Sequence, residues 1–490
     1  MDKVLSPGAP LCTPLLPTLD FPLLYAMMIS TVQKVVLCVA RWEAIFSPPP
    51  SVLKVLEQLE QNGWESWTVG GCVRDSLLGK VPADWDVCTA ALPETVQSLF
   101  EGQFPVIPTG LRHGTVTILA DGMPVEVTTF RTEGTYTDHR RPDEVHFVTS
   151  LHQDLARRDF TVNAMAWSPI RGMRDDFGGQ KDLEAGLLRC VGQPEHRFEE
   201  DALRMLRALR FCAQYGFTLE EETRRGIAAR KELLKTVAGE RVLTELKKLL
   251  TGPQAGRTLL DSLPALGVVL PQLLPLGGFD QHNPHHHLDL WTHTCQVVDG
   301  CPREAEIRLA ALFHDVAKPL CQSWGEDGNA HYIGHEAMSA EIARSCLNRL
   351  KSDGETVRQV TALVCHHDDP PPQTRKGVAR LLGKLGPEMT EKLLALRRAD
   401  ILAQSPDTRT AKLSELERTQ KLMEQLMEEQ ACLTISQLAV DGRMLMDWGI
   451  PAGPQLGNTL RWLLEQVLDG TVSNTPEALK QIWEEKNPFA

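Results

Sequence analysis

The sequence predicts an α+β chain, mostly helical, with a small mixed sheet near its N-terminus followed by helices. Three observations carry this. Short alternating stretches, Trp67 to Gly70, Gly114 to Leu119 and Pro124 to Phe130, fall among helical ones such as Val52 to Gln61 and Leu92 to Phe100. Further on the apolar spacing becomes helical, as in Leu203, Leu206 and Leu209. A length of 490 residues exceeds what one hydrophobic core fills and suggests about three or four domains.

The net charge of -13 excludes a protein that coats nucleic acid indiscriminately, because neutralising phosphates needs a basic surface, but it leaves room for a local basic track. The 12 cysteines are scattered without a C-x-x-C pair, which points to reduced thiols and a cytoplasmic protein. In the first 50 residues Pro7, Pro10, Pro14, Pro17 and Pro22 interrupt an apolar run. Gln33 and Lys34 break Leu23 to Ala40 before it reaches membrane-spanning length, so no membrane association is expected. Asp2 and a single Lys3 do not make the basic start of a signal peptide. Residues 1–50 are therefore expected to be a loosely ordered leader, or an over-extended start of the reading frame, ending at Pro48-Pro49-Pro50.

Chemistry concentrates between Thr68 and Thr89. Val52 to Gln61 forms a helix ended by Asn62-Gly63, and Trp67 to Gly70 a strand entering a glycine turn. There Gly70 and Gly71 let backbone approach a phosphate, and Arg74 offers it a fork of donors. A helix over Val73 to Leu78 would aim its N-terminus at the same anion. The next strand carries Asp84 and Asp86, which therefore share a face and can hold Mg²⁺. Val125 and Val127 turn Glu126 to the opposite face of its own strand, where it is either a third catalytic carboxylate or a solvated acid.

Gly70-Gly71-Cys72-Val73-Arg74-Asp75 through Asp84-Trp85-Asp86 resembles motif A of the class II nucleotidyltransferases, the family of tRNA CCA-adding enzymes and bacterial poly(A) polymerases. The resemblance covers about residues 64 to 280 and implies a palm-like head. Asp154 to Ala166 resembles motif B: Arg157 and Arg158 would hold triphosphate, and Asp159 and Asn163 a ribose hydroxyl. Glu200-Asp201-x-x-Arg204 resembles motif D, whose acid and arginine read the base edge. Arg197 to Arg210 reads as one helix, so Asp201, Arg204 and Arg207 share a face. A carboxylate accepts from the exocyclic amine that cytosine and adenine share, so one protein template could serve both bases. The polar run Arg131 to His146, with Gly134, Tyr136, Asp138, His139, Arg140, Arg141 and Pro142, lies where such enzymes carry a flexible element needed for the terminal adenosine. Basic residues between Glu221 and Leu250 either hold the primer's backbone or form a solvated helix face.

A second unit begins after Pro264 to Gly278. His293, His314-Asp315 and Asp400 resemble the H…HD…D order of the HD phosphohydrolases, over about residues 285 to 400. Leu309 to Val316 reads as a buried helix, and a second divalent metal could bind there. His335 and His366 are further ligand candidates, with His367 as a rival to His366. A retained but inert HD fold fits the same residues. Beyond Asp400 the chain reads as helix, with Leu413 to Met427 heptad-like and Trp448, Trp462 and Trp483 as packing anchors.

The expected order is thus the leader at 1–50, a nucleotidyltransferase head at 51–185, neck helices binding RNA at 186–280, an HD domain at 281–405 and a helical tail at 406–490. The resemblance implies a cytoplasmic, Mg²⁺-dependent enzyme that adds CCA to tRNA from CTP and ATP. A poly(A) polymerase shares every motif but usually ends in a long basic tail, and Gln481 to Ala490 is not basic. A third reading is chiefly an HD phosphohydrolase of nucleotides or RNA ends, with a head that only binds RNA. Full, CC-only and A-only addition stay open, as does oligomeric state.

Overall fold

The structure is a computed structural model that describes residues 46–133 and 145–486. Most of the expected leader and the centre of the polar loop, from Gly134 through Pro142, lie outside the described residues. The chain divides into two compact units. The first comprises residues up to Thr132 with Phe147–Leu155 and Asn163–Phe177, and the second contains the remainder. The segment Ala156–Val162, expected within the head, belongs to the second unit.

In the first unit a seven-stranded sheet runs in the order β3-β4-β5-β2-β1-β6-β7. Its strands are β1 (Ser66–Val69), β2 (Trp85–Thr89), β3 (Val106–Gly110), β4 (Thr115–Ala120), β5 (Met123–Thr129), β6 (Ala166–Ser168) and β7 (Gly172–Arg174). The β2–β5 pair is parallel and the others antiparallel, so the sheet is mixed as expected. Helix α1 (Pro50–Gln61) starts on a proline, whose missing N–H costs nothing in the first turn, and buries Val52, Val55, Leu56 and Leu59. Helix α2 (Gly71–Leu77) opens straight from the glycine turn, two residues earlier than expected, and α3 (Pro93–Phe100) buries Val96 and Phe100.

The second unit is almost wholly helical. Helices α4 (Pro194–Glu200) and α5 (Leu203–Tyr215) are separate, because Asp201 leaves helical geometry at φ -138°. The single helix expected over Arg197 to Arg210 is therefore broken at Asp201, where the side chain accepts the N–H of Leu203 at 3.0 Å. Helices α6 (Glu221–Arg230), α7 (Gly239–Leu250) and α8 (Ala255–Val269) follow. Pro264 lies inside α8 and cannot donate to the carbonyl four residues back, and Trp291 Nε1 supplies that carbonyl, Leu260 O, with a donor at 3.4 Å. Then come α9 (Leu290–Gly300), α10 (Ala305–Phe313), α11 (His335–Arg349), α12 (Gly354–His366), α13 (Pro387–Ala403) and α14 (Pro406–Glu428). Helix α10 is buried from Ile307 to Phe313, but it ends there and not at Val316 as expected, and His314 to Val316 continue as a buried turn. Near the C-terminus Trp448, Trp462 and Trp483 pack on a core containing Leu445, Leu463 and Leu479.

Candidate functional site

In the first unit, the turn at Gly70 adopts φ +83°, a backbone region that side-chain-bearing residues disfavour, and its N–H donates to Met165 O at 3.2 Å. Strand β6, entered just after Met165, thereby fixes the turn. Asp86 and Glu126 are register partners on the parallel pair β2 and β5, so their carboxylates project from the same face. Val125 and Val127 are buried while Glu126 is exposed, which is the alternation read from the sequence. Asp84, however, precedes β2 and is exposed. The ladder cannot extend back to it, because Trp85 pairs with Val125 and the next residue of β5 is Pro124, which has no N–H to give. Strand alternation therefore does not set the direction of Asp84. Cys72 lies behind Asp86, its thiol 3.8 Å from Asp86 O and pushed up to about 11 by burial, which makes it packing rather than chemistry.

Arg74 is buried and held from two sides: Nε donates to Asp75 at 2.9 Å and Nη1 to Asn163 at 2.6 Å. Two residues expected to meet the nucleotide separately thus meet each other.

In the second unit, Asp159 accepts from Nε and Nη2 of Arg207 at 2.9 and 2.6 Å and from the N–H of Phe160 at 2.8 Å. The adjacent carboxylate raises the Arg207 pKa further above its ordinary value. Asp201 pairs with Arg241 at 2.8 Å rather than with Arg204. Arg204 instead bonds Glu200 and donates to the carbonyls of Arg197 and Arg157 at 3.1 and 3.2 Å. The cations expected to form a basic face are largely matched by acids: Arg224 and Arg225 by Glu221, Arg230 by Glu199 and Lys235 by Glu232.

Farther along the second unit lies a buried histidine–aspartate centre. Among the described residues, ligand atoms of His293, His314 and Asp315 lie within 4.8 Å of one another, as do those of Asp315, His335 and His367. Asp400 approaches His293 Nε2 at 3.1 Å. Nδ1 of His314, His335 and His367 each meets the carbonyl three residues earlier, Ala311, Tyr332 and Val364, at 2.7, 2.8 and 2.7 Å. A carbonyl only accepts, so in the neutral rings Nδ1 carries the proton and Nε2 presents a lone pair. The Nε2 atoms of His335 and His367 face each other at 3.4 Å. Buried Asp315 Oδ1 lies 3.2 and 3.4 Å from these two Nε2 atoms, which offer it no proton when the rings are neutral. Two facing lone pairs and an orphaned carboxylate oxygen fit a divalent cation. Burial pushes Asp315 and Asp400 up, but His314 and Lys318 beside Asp315, and His293 beside Asp400, hold both below the usual carboxylate range.

Residues 66–189 match the family model described as Poly A polymerase head domain. Residues 216–275 match one described as a probable RNA and SrmB-binding site of polymerase A, and 333–482 one described as tRNA nucleotidyltransferase domain 2, putative. The chain is 34% identical over 432 residues to the CCA-adding enzyme of Leuconostoc mesenteroides, covering 88% of this chain and 95% of that one. It is also 34% identical over 437 residues to that of Geobacillus thermodenitrificans, covering 88% and 96%. The chain belongs to the CCA-adding enzyme family. The Bacillus stearothermophilus CCA-adding enzyme, solved in complex with CTP, superposes with a TM-score of 0.67 at 30% identity, over 90% of this chain and 98% of that one.

Membership makes this CCA-adding enzyme relative a nucleotidyltransferase and implies a divalent metal. The all-oxygen set of Asp86, Glu126 and nearby Asp84 suits a hard cation. At the second centre His293, His314, Asp315, His335 and Asp400 come together as expected, but His366 does not. Adjacent residues on a helix point about 100° apart, so with His367 turned inward, His366 turns out to pair with Asp369 at 2.7 Å. Sequence reading missed Lys318, whose Nζ lies 2.7 Å from Asp315. Its spacing of three residues after Asp315 was the available signal. It also missed His286, whose ring lies 5.1 Å from that of His293 and whose pKa burial pushes down to about 3. No helix among the described residues is long and apolar enough to cross a membrane.

Proposed function

We propose that the chain completes tRNA 3′ ends by template-independent addition of C, C and A from CTP and ATP. The observation that carries the reading is Asp86 facing Glu126 across a parallel strand pair in the unit that holds the Gly70 turn. Asp84, Asp86 and Glu126 are the oxygen ligands that would hold the divalent ion, Mg²⁺ in this reading. When bound, that ion supplies positive charge to phosphate oxygens and to the primer hydroxyl. Gly70 and Gly71 leave space for phosphate oxygens, and Arg74, Arg157 and Arg158 neutralise them. Asp159 and Asn163 accept from the ribose, with Arg207 fixing Asp159. Asp201 and Arg204 read the base edge, each placed by a partner, Arg241 and Glu200. The primer's 3′ oxygen bonds to the α-phosphorus, the bond to the bridging oxygen breaks, and pyrophosphate leaves.

A second reading attaches to the buried centre: hydrolysis of phosphate esters at His293, His314, Asp315, His335, His367 and Asp400. The facing Nε2 atoms of His335 and His367 favour it over an inert remnant. In functional terms 51–185 is the head, 186–280 the neck, 281–405 the HD domain and 406–490 a helical tail, and the free thiols of the described cysteines suit the cytoplasm.

The deciding experiment extends tRNA transcripts ending before CCA, at C and at CC, using CTP, ATP or both. Asp84→Ala and Asp86→Ala serve as controls. Addition that halts after CCA and disappears in the controls supports the proposal, whereas long adenosine tails support a poly(A) polymerase.

A further inference from the structure

We propose that the closed end of the hairpin formed by α11 and α12 positions the base-reading residues, so that Gly239, Lys247 and Thr356 take part in nucleotide selection. This rests on the reading of Asp201 and Arg204 as the pair that meets the base edge, and it names what holds Asp201 in place.

Asp201 lies in the break between α4 and α5, so no helix fixes its side chain. Its direction is set by two donors, the N–H of Leu203 on Oδ1 and Arg241 Nη2 on Oδ2 at 2.8 Å. Arg241 belongs to α7, and one turn further on Glu245 pairs with Arg210 of α5 at 3.2 Å. Both members of that second pair are buried, so neither can leave without stranding a charge. One face of α7 thus orients Asp201, and wherever α7 is moved Arg241 moves with it.

A different face of α7, carrying Glu240 and Lys247 two turns apart, meets the turn that joins α11 to α12. A Cβ on Gly239 would stand 2.8 Å from Arg349 O and 3.0 Å from Leu350 Cα. Gly239 does not adopt a left-handed φ, so space alone requires glycine there: the start of α7 lies directly on backbone. Lys247 Nζ donates to Thr356 Oγ1 at 3.1 Å. Thr356 is buried and tied to Asp353, the N-cap of α12, to which it donates from Oγ1 at 2.7 Å and from its N–H at 2.8 Å. Lys351 also reaches Glu240 at 2.7 Å, but that pair is exposed and holds little in water. The backbone contact at Gly239 and the buried threonine carry the attachment.

The same hairpin presents His335 and His367 at its open end. The 15 residues of α11 span about 22 Å, which separates the two ends. The hairpin is therefore shared: one end builds the histidine–aspartate centre, and the other seats the helix that orients Asp201. The second use persists even where the centre is inert.

The test is competition between CTP and UTP on one tRNA lacking CCA, because any loss of primer binding or of folded enzyme cancels in the ratio of kcat/KM values. Lys247→Met removes the donor but keeps an unbranched stem, Lys247→Arg keeps a donor, and Gly239→Ala wedges a methyl against Arg349. Lys247→Met and Gly239→Ala should each lower the CTP-over-UTP ratio about fivefold through a raised KM for CTP, and Lys247→Arg should retain most of it. In an Arg241→Ala background Lys247→Met should lower the ratio no further, since both act through Asp201. Asp201→Ala is the control for the underlying reading. If it lowers the ratio while the Lys247 and Gly239 variants leave it unchanged, the hairpin has no part in selection and the role of Asp201 stands. If Asp201→Ala leaves the ratio unchanged, the base-reading role falls and the route through Arg241 falls with it. A full further loss from Lys247→Met in the Arg241→Ala background also overturns that route.

Discussion

Asp86 and Glu126 stand opposite each other on the only parallel pair of the seven-stranded sheet, one residue contributed by each strand. The two residues are 40 positions apart in sequence and belong to different motifs by eye, yet one sheet face presents both. Asp86→Asn and Glu126→Gln should each lower kcat for CTP addition by about 10²-fold or more while leaving thermal stability unchanged, as expected for lost charge stabilisation at a transferring phosphoryl group. A Glu126→Gln enzyme with ordinary kcat would return Glu126 to the role of a solvated strand acid.

Gly70 at φ +83° should not tolerate a side chain. Gly70→Ala is expected to destabilise the chain by about 1–2 kcal/mol, read as a lowered midpoint in urea, and to raise KM for CTP.

Removing the guanidinium from Arg207 takes away the two hydrogen bonds it gives the buried Asp159 carboxylate. Arg207→Ala should cost about 2 kcal/mol, and Asp159→Asn combined with it should recover part of the loss, because an amide is cheaper to bury than a carboxylate. Denaturant melts of the two single variants and the double variant give the coupling.

Glu200, the last residue of α4, pairs with Arg204 in the first turn of α5. Glu200→Ala should leave CTP addition measurable but narrow the preference over UTP, since a guanidinium free to swing donates less selectively. Competition between CTP and UTP on a tRNA lacking CCA reads this directly, and an unchanged ratio removes Glu200 as a positioning residue.

His366 and His367 offer an internal control. His367→Ala should lower the metal content of purified protein by about tenfold or more, while His366→Ala should retain it. Elemental analysis after incubation with Mn²⁺ or Zn²⁺ distinguishes them, and the reverse pattern would show that the helix turns the other way.

Much of this was legible in the sequence because it depended on local rules. Period-two alternation placed Glu126 opposite Val125 and Val127, and the paired glycines marked the turn. What was not legible depended on distant partners. The break at Asp201 follows from a side chain capping its own backbone and from Arg241, a residue 40 positions away. Asp84 falls off its strand because of Pro124, on another strand. The choice of His367 over His366 depends on how one helix is rotated against its neighbours, which no linear spacing records.

The path of the chain between its two units also limits how such enzymes can be recombined. Strands β6 and β7 close the sheet only after the chain has left the first unit at Ala156 and returned at Asn163. A chimaera with a single junction after Thr132 would import a sheet without its last two strands and leave Gly70 without the carbonyl of Met165. Swapping the sheet between relatives therefore requires matched crossovers that carry residues 147–155 and 163–177 along with it, so these stretches are expected to be inherited as one block.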